Sequence, residues 1–294
     1  MAPTHYFFAP HPDDAALSCG GQIATLARNG ETPVIVTVMA GDSPALEPPP
    51  PHIAELWARW GLGSGSAVSA TRRAEDSAAA ARLGARVEFW PWLDAIYRHD
   101  PLTGDFLYAG KDAIFGDIAP TDLLVRQCEP GANDATILDF VARLQAGDTL
   151  HSPLGVGNHI DHRLVRTLLQ TLAREQPTVN LFCYDEYPYS APDYKGIRAA
   201  DAVQTALDQA ERAFAVTARR ATISVRQAIV HSLDSAALDV KIAAVACYQS
   251  QISSFWADTG AMADSVRRYT EQVGGEREWR FSRDRHPMAQ SADS

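Results

Sequence analysis

The sequence predicts an α/β fold in which helices cover a mainly parallel β-sheet within a single domain. Apolar, strand-like runs alternate with helical segments in the first third of the chain, and such βαβαβ alternation favours parallel strands joined by right-handed crossovers. One run, Thr32–Ala40, is almost continuously apolar and rich in β-branched residues, which is typical of a strand buried on both faces. With 294 residues, 46% of them hydrophobic, the chain can bury a substantial core and lies near the upper size for one compact domain.

The N-terminal part of the chain is predicted to alternate between strands and helices. Gly30 and Gly84 follow two of the helices and suit C-terminal caps, because glycine tolerates the left-handed backbone conformation. The segment Pro44–Gly65 is rich in proline and glycine and is predicted to be mostly loop, with a short helix near Ile53–Trp60. The other predicted elements are strand His5–Ala9, helix Ala15–Asn29, strand Thr32–Ala40, helix Thr71–Leu83 and strand Arg86–Trp90.

The middle of the chain, residues 94–131, shows no clear hydrophobic period. A loop of this length is unusual inside a compact domain, so we expect an insertion that covers the substrate or forms a subunit interface. We expect Glu276–Arg285 to be a solvated surface segment, Lys241 to lie on a solvated helix face, and residues 286–294 to form a flexible tail. The elements predicted after the insertion are helix Asn133–Gln145, strand Asp148–Ser152, helix Ile160–Arg174, strand Val179–Tyr184, helix Arg198–Val216, strand Ala221–Val230 and helix Asp234–Gln251.

Composition and charge argue against several classes of partner. The formal net charge is -10, from 26 basic and 36 acidic residues, and an acidic protein repels nucleic-acid phosphates and anionic membrane surfaces. No segment approaches the roughly 20 apolar residues needed to cross a bilayer, and Met1–Ala9 lacks the pattern of a signal peptide. The four cysteines are far apart and form no CxxC pair, so we expect a reduced, cytoplasmic setting without disulfides. The oligomeric state is unknown from the sequence.

Three chemically active side chains follow the first predicted strand. His11 and Asp14 are three positions apart across a strand-to-helix turn, a spacing that can bring an imidazole nitrogen and a carboxylate oxygen onto one metal ion. Asp13 lies between them and would remain free to take a proton. Ligands bind at the carboxyl ends of strands in open α/β sheets, so the location suits a site. In the structural alternative, an aspartate caps the following helix and His11 is a hydrogen-bonded loop residue.

A second cluster, Gly155–His162 (GVGNHIDH), follows another predicted strand. His159 and His162 are three apart with Asp161 between them, a pattern that on its own also fits a capped helix with surface histidines. Together the two clusters supply His, Asp and His as one possible ligand set. Three protein ligands leave a fourth position for water, as in catalytic zinc sites, where the pKa of that water falls to about 7 and a nearby carboxylate can act as general base. We expect His151, one further candidate ligand, to be structural.

At these residues the sequence resembles the PIG-L or LmbE-like family of zinc-dependent N-acetylglucosaminyl (amino-sugar) deacetylases. The resemblance rests on APHPDDxxLxxGG at Ala9–Gly21 and on GxxNHxDH at Gly155–His162. One departure is Ala15, where the family usually has an acidic residue, and the insertion also looks individual to this chain. Three further segments match family positions: Thr71–Gly84, Tyr184–Tyr189 and Lys241–Gln251.

The resemblance implies an LmbE-like fold, that is, one Rossmann-like three-layer domain spanning residues 1–294. It implies one Zn2+ per chain, whose bound water Asp13 would activate before passing the proton to the leaving amine. His159 would steady the charge on the tetrahedral intermediate, and Asp161 would orient a histidine. The implied site residues are His11, Asp14 and His162 as metal ligands, Asp13, His159 and Asp161 as catalytic residues, and Arg72 and Asp94 as substrate-binding residues.

The function implied by the resemblance is removal of an N-acetyl (N-acyl) group from a small-molecule amino sugar or glycoconjugate. Two alternatives stay open: an amidase acting on a bulkier acyl or thiol-conjugate amide, and a non-catalytic sugar-binding protein of Rossmann-like fold. Asp13 argues against the second, because a binding protein needs no base. Mixed nitrogen and oxygen ligands also accept Fe2+ or Co2+. Trp92 is a candidate for stacking on a sugar, although core packing is the commoner role of large aromatic residues.

Overall fold

The computed structural model describes residues 2–63, 65–110, 112–192, 199–217 and 223–283. Within these ranges, seven strands form one sheet. The strands are β1 (His5–Ala9), β2 (Val34–Thr37), β3 (Arg86–Phe89), β4 (Thr149–Pro153), β5 (Asn180–Tyr184), β6 (Ile223–His231) and β7 (Glu276–Arg283). Their order across the sheet is β3-β2-β1-β4-β5-β7-β6. The pairs from β3 to β5 are parallel, and β7 and β6 join antiparallel at the β5 edge, which confirms the predicted mainly parallel sheet.

The helices of the described chain connect these strands and cover the sheet. They are α1 (Asp14–Arg28), α2 (Pro51–Arg59), α3 (Ser66–Leu83), α4 (Leu123–Gln127), α5 (Ala135–Val141), α6 (Ile160–Glu175), α7 (Ala199–Thr217), α8 (Ser235–Val245), α9 (Gln249–Phe255) and α10 (Thr259–Val273). Gly84 ends α3 with a left-handed φ of 72°, as predicted. The single helix predicted at Asp234–Gln251 is wrong, because the chain turns between α8 and α9, and α10 was not predicted. Among the described helices, none is both long enough and apolar enough to cross a membrane.

Two hydrophobic cores, one on each face of the sheet, define three layers. Successive side chains of a strand point to opposite faces, and β1 shows the consequence directly. Tyr6 and Phe8 belong to the core under α6, whereas Phe7 and Ala9 belong to the core shared with α1, α3 and α8. All four side chains are buried, so β1 is covered on both sides. The three-layer prediction is therefore confirmed.

Strand β7 overturns the expectation that Glu276–Arg285 is a solvated surface segment, as far as Arg283; residues 284 and 285 lie outside the described residues. It lies between β5 and β6, and Glu276 and Glu278 are each only 3% exposed. Lys241, expected on a solvated face, is 1% exposed, and its Nζ donates to Glu276 Oε1 at 2.7 Å. The Glu276 carboxylate also accepts two backbone N–H groups of α1, at 2.8 and 2.7 Å. Burial of these charges is tolerated because each has partners. His151 is structural, as expected, with its Nδ1 2.8 Å from Glu278 Oε2.

The buried pair between α8 and β7 gives a stability prediction. Lys241→Met should lower the free energy of unfolding by about 3–5 kcal/mol, because it leaves the Glu276 carboxylate buried without its cation. Urea unfolding of both proteins measures the difference. Arg82→Met, at an exposed position of α3, is the control and should change stability by less than about 0.5 kcal/mol. A Lys241→Met protein as stable as the control would contradict this account of the pair.

The insertion at residues 94–131 is organised by short turns rather than by long elements. It contains 3-10 turns at Ala95–Tyr97 and Ala113–Phe115, followed by α4. Several of its apolar side chains pack against the core under α6, among them Ile114 and Leu124. It is therefore a packed part of the fold, and its inner face points towards the candidate site. The predicted tail at residues 286–294 lies outside the described residues.

Candidate metal centre and active site

The candidate site lies where three neighbouring parallel strands end. β1 leads into the turn that carries His11, Asp13 and Asp14, and Asp14 opens α1. β4 leads into the loop before α6, the helix that carries His162. β5 leads into Glu186. Because parallel strands end at the same edge of a sheet, these loops meet, and this edge is where α/β sheets bind ligands.

Three donor atoms converge at this edge. His11 Nδ1 lies 3.3 Å from Asp14 Oδ2, and His162 Nε2 lies 3.5 Å from the same oxygen. Donor atoms of these three residues all lie within 4.8 Å of one another. Two ligands bound to one tetrahedral zinc at about 2.0–2.1 Å would lie roughly 3.3–3.4 Å apart. The two distances to Asp14 Oδ2 therefore match the spacing of ligands around a single small divalent cation.

Carboxylates hold the far side of both histidine rings. His11 Nε2 lies 2.9 Å from Asp161 Oδ2, and His162 Nδ1 lies 3.1 Å from Glu186 Oε1. Glu186 itself accepts the backbone N–H groups of Gly155 and Val156. A proton on the outer nitrogen of each ring would satisfy these contacts and leave the inner nitrogen as a lone-pair donor, the arrangement usual behind metal-bound histidines. In agreement, His162 Nε2 is buried and has no hydrogen-bond partner among the described residues.

A second set of donors, His11, His159 and Asp161, also meets within 4.8 Å. Its carboxylate is already engaged, since Asp161 Oδ1 lies 2.6 Å from Arg98 Nη1 and Oδ2 contacts His11. His159 Nδ1 is engaged too, because it accepts the Asp161 backbone N–H at 3.2 Å. Among the described residues, only the first set leaves a buried ring nitrogen, His162 Nε2, without a hydrogen-bond partner, so the first set is the better candidate for the metal.

Asp13 stands out by its backbone and its charge. Its φ of 117° is strained for a residue with a side chain, and although it occupies the N-cap position of α1 its side chain makes no capping hydrogen bond. The helix-cap alternative therefore does not explain Asp13. Burial raises its pKa well above the usual range and Asp14 raises it further, whereas Arg72 and His11 act in the opposite direction. A carboxyl with a raised pKa is suited to accept and return a proton.

The pKa of Asp14 is shifted in the opposite direction from that of Asp13. Burial acts to raise its pKa, but His162 and His11 outweigh burial and hold the pKa below the usual range. Its Oδ2 also accepts the His11 backbone N–H at 2.8 Å. The pKa values of the two adjacent carboxyls are thus shifted in opposite directions, that of Asp13 upwards and that of Asp14 downwards.

His159 faces the same cavity as a neutral ring. Burial lowers its pKa well below the usual range, and the nearby His11 lowers it further. Because its Nδ1 accepts a backbone N–H, its proton lies on Nε2. The Phe115 ring packs against it edge-on, with 5.5 Å between centroids. His159 therefore offers one N–H donor at a fixed orientation.

Arg72 and Asp94 also reach this cavity, as the sequence prediction requires. Arg72 Nη2 donates to the Pro12 carbonyl at 3.2 Å, and its guanidinium lies 4.8 Å from the centre of the Trp60 ring. Arg72 Nη1 and Asp94 Oδ2 are 3.8 Å apart. Trp92, the tryptophan considered for sugar stacking, instead packs against Trp90 in the core, whereas Trp60 lines the cavity.

The cavity has a volume of about 270 Å³, and its lining combines the polar residues of the candidate site with many apolar and aromatic side chains. Its walls come from α2, from the insertion, from the segment after β5 and from α9. The insertion therefore covers part of the cavity, one of the two roles expected for it. The apolar and aromatic residues that line the walls are Leu17, Leu56, Trp60, Ile96, Ile114, Phe115, Tyr187, Pro188, Tyr189 and Phe255.

The fold and this arrangement define an LmbE-like α/β protein with a candidate His–Asp–His metal centre. The chain belongs to the PIG-L family: the family model described as GlcNAc-PI de-N-acetylase matches residues 6–173. A curated relative, 2'-N-acetylparomamine deacetylase of Streptomyces fradiae, is 28% identical over 185 residues, which are 62% of this chain and 56% of that protein. The matched region thus spans little more than half of that relative.

Solved structures show the same fold over nearly the whole chain. Teicoplanin deacetylase in its zinc-inhibited form is 23% identical, with a TM-score of 0.73 over 96% of this chain and 99% of that chain. A pseudoaglycone deacetylase of an antimicrobial reagent is 24% identical, with a TM-score of 0.65 over 96% of this chain and 97% of that chain. At these identities the likeness establishes the architecture.

The sequence motifs located the residues of the two clusters but missed two residues that support them. Glu186 lies in the segment Tyr184–Tyr189, which matched family positions but in which no residue was assigned a role. Arg98 lies in the insertion. A strand ending directly before a buried acidic residue was the signal available for Glu186. The sequence gives no comparable signal for Arg98, since it contacts Asp161 across 63 positions.

Proposed function

We propose that this protein is a metal-dependent N-deacetylase that hydrolyses the N-acyl amide of an amino sugar or glycoconjugate. One observation carries the proposal: the donor atoms of His11, Asp14 and His162 converge within 4.8 Å, and His11 and Asp14 line the same cavity as a strained, buried Asp13. A structural metal site would need no such carboxyl beside it. A sugar-binding protein would need neither the carboxyl nor the lone-pair donors.

The residues of this chain divide the chemistry between them. His11, Asp14 and His162 would hold the cation, which lowers the pKa of water bound to it and polarises an amide carbonyl. Asp13 takes one proton of the attacking water and returns it to the amide nitrogen as the C–N bond breaks, which forms a free amine and a carboxylic acid; the acid then loses its own proton to solvent. A nearby cation lowers the pKa of Asp13 and so offsets the effect of its burial.

His159 is proposed to stabilise the negative charge that develops on the acyl oxygen. Its Nε2–H is free for this role because Nδ1 accepts a backbone N–H, and a neutral donor fixed in place costs no reorganisation during the reaction. Asp161 is proposed to orient His11 from behind, at the 2.9 Å contact between its Oδ2 and His11 Nε2.

His159→Ala should therefore lower kcat by about 10²–10³-fold, the usual effect of losing one such donor, with little change in KM or metal content. Steady-state kinetics and metal analysis of the purified variant check this. His52→Ala, at a histidine that lines the same cavity but belongs to neither donor set, is the matched control and should keep kcat near the wild-type value. If His159→Ala lost its metal instead, His159 would be a ligand and the second donor set would be correct.

The substrate is proposed to be an N-acylated amino sugar that carries a further group. Both the family description and the name of the curated relative refer to such sugars, and Arg72 and Asp94 offer polar contacts near the reacting amide. The apolar walls formed by α2, the insertion and α9 suit the attached group. They also suit a bulkier acyl chain, which keeps an amidase for larger acyl groups as the second candidate.

A matched series of substrates separates these candidates. Amine release is measured from one amino-sugar glycoside bearing N-acetyl, N-butanoyl or N-octanoyl groups. A deacetylase should prefer the acetyl compound in kcat/KM, whereas the amidase candidate predicts that kcat/KM rises with chain length. Removing the aglycone from the N-acetyl compound should lower kcat/KM if the apolar walls bind the attached group.

Zinc is the metal most typical of this donor set, and Fe2+ or Co2+ would bind the same ligands. One of the solved deacetylases with this fold is described as a zinc-inhibited form. Experiments should therefore separate one equivalent of zinc from an excess of it.

A further inference from the structure

A buried ion-pair cluster in the insertion reaches the candidate metal centre. Arg98 lies between two carboxylates, with Nη1 2.6 Å from Asp161 Oδ1 and Nε 2.9 Å from Asp122 Oδ2. The side chains of Arg98, Asp122 and Asp161 are 7%, 1% and 0% exposed. The N–H directions are too oblique for hydrogen bonds to these oxygens, whereas Nη1 donates to the Leu93 carbonyl at 2.9 Å. Attraction between charges does not depend on that direction, so both ion pairs stand.

The insertion holds the outer end of this cluster in place. The Tyr108 hydroxyl donates to Asp122 Oδ2 at 2.8 Å, and Asp122 Oδ1 accepts the Leu124 backbone N–H at 3.0 Å. The Arg98 guanidinium also lies 5.4 Å from the centre of the Tyr108 ring. Asp122 is thus fixed by two donors and keeps Arg98 from turning away from Asp161.

Asp161 depends on the insertion for its charge balance. In the described part of the chain, Arg98 supplies the only arginine or lysine group within ion-pair distance of Asp161. Besides His11, the donor to Asp161 Oδ2 is the Ala95 backbone N–H, at 2.9 Å, which also belongs to the insertion. A fully buried carboxylate without a cation is costly, so without Arg98 the Asp161 carboxylate would lose its present position or its charge.

We propose that Arg98 is a positioning residue of the metal centre, holding Asp161 so that Asp161 keeps His11 Nδ1 directed at the metal position. The inference rests on the proposed function, because it uses the donor set His11, Asp14 and His162. It gives the insertion a second role beyond covering the cavity: the chain Tyr108–Asp122–Arg98–Asp161 links it to a metal ligand.

The test is the affinity of the full-length protein for Co2+ and the visible d–d spectrum of the bound ion. Arg98→Met should weaken Co2+ binding by about 10–100-fold, as loss of support behind a ligand usually does, and should change the d–d bands. Arg98→Lys keeps a cation of shorter reach and should recover part of both. Thermal melting of each metal-free variant shows whether it is folded.

Arg163→Met is the matched control. Arg163 also anchors the insertion, since its Nη1 donates to the Gly116 carbonyl at 2.7 Å, but within the described part of the chain its side chain makes no hydrogen bond or ion pair with Asp161. It should bind Co2+ like the wild type. If Arg98→Met also matched the wild type in affinity and spectrum, or if both variants were weakened equally, Arg98 would have no specific positioning role.

A third variant covers the case in which Arg98→Met does not fold. Tyr108→Phe removes the hydroxyl that donates to Asp122 and accepts the Ala119 backbone N–H, and it should weaken Co2+ binding in the same direction by a smaller factor. Unchanged affinity in a folded Tyr108→Phe protein would overturn the proposed linkage. Failure of the wild-type protein itself to bind Co2+ or Zn2+ would instead reject the donor set and the proposed function.

Discussion

Replacing Asp13 with asparagine is expected to lower kcat by about 10²–10⁴-fold, the range that general acid–base catalysis supplies, while the metal content stays at the wild-type level. Asparagine is the right replacement because it keeps the shape of the side chain and tolerates positive φ better than most residues. The φ of 117° at this position can therefore persist. The substitution removes the proton acceptor and leaves the proposed ligands His11, Asp14 and His162 in place.

The readouts are steady-state kinetics and metal analysis on the same preparation. Asp139→Asn makes the identical change at an exposed position of α5 and should leave kcat unchanged. A normal kcat in Asp13→Asn would remove Asp13 from the mechanism. Loss of metal together with activity would make Asp13 part of the metal site rather than the base.

His162→Ala is expected to abolish both metal binding and turnover. His162 supplies the one buried ring nitrogen of the centre without a hydrogen-bond partner among the described residues, and the change also leaves the Glu186 carboxylate without its histidine partner. Two remaining ligands should hold a divalent cation far more weakly than three. The measurements are bound metal after gel filtration and amine release, with a thermal melt to show that the variant is folded.

The comparison with His159→Ala makes this prediction sharp. The two histidines lie one helical turn apart. Of the two, His162 belongs to the first donor set and His159 to the second. We expect metal loss in His162→Ala and metal retention in His159→Ala. The reverse pattern would assign the metal to the second set, and retention in both would place it elsewhere.

The location of the site could be predicted because its residues are close in sequence to strand ends. His11, Asp13 and Asp14 follow β1 directly, and His159, Asp161 and His162 follow β4 after a short loop. Parallel pairing of β1 with β4 then brings the two clusters together without further information. The residues that support the ligands were not predictable in this way. Glu186 is 24 positions from His162, which it contacts, and Arg98 is 63 positions from Asp161.

The fold was predictable where an apolar run marks a buried strand, as in β1 and β2, and where a glycine follows a helix, as in α3. Strand β7 was missed because its charged residues suggested solvent exposure. In the structure, Glu276 and Glu278 are buried; Lys241 pairs with Glu276, and His151 and His231 lie within hydrogen-bond distance of Glu278. Buried charges of this kind can be recognised only when their partners are known, and the partners lie on other elements of the sheet and its helices.

The measurement that tests the central claim most directly is amine release from N-acetylated amino sugars and their glycosides by one protein sample in three states. The sample is assayed as purified, after chelation, and after addition of one equivalent of Zn2+ or Co2+, with excess Zn2+ assayed separately. The account predicts that chelation abolishes release and that one equivalent of metal restores it. Release that persists in protein shown to be metal-free would contradict a metal-dependent deacetylase.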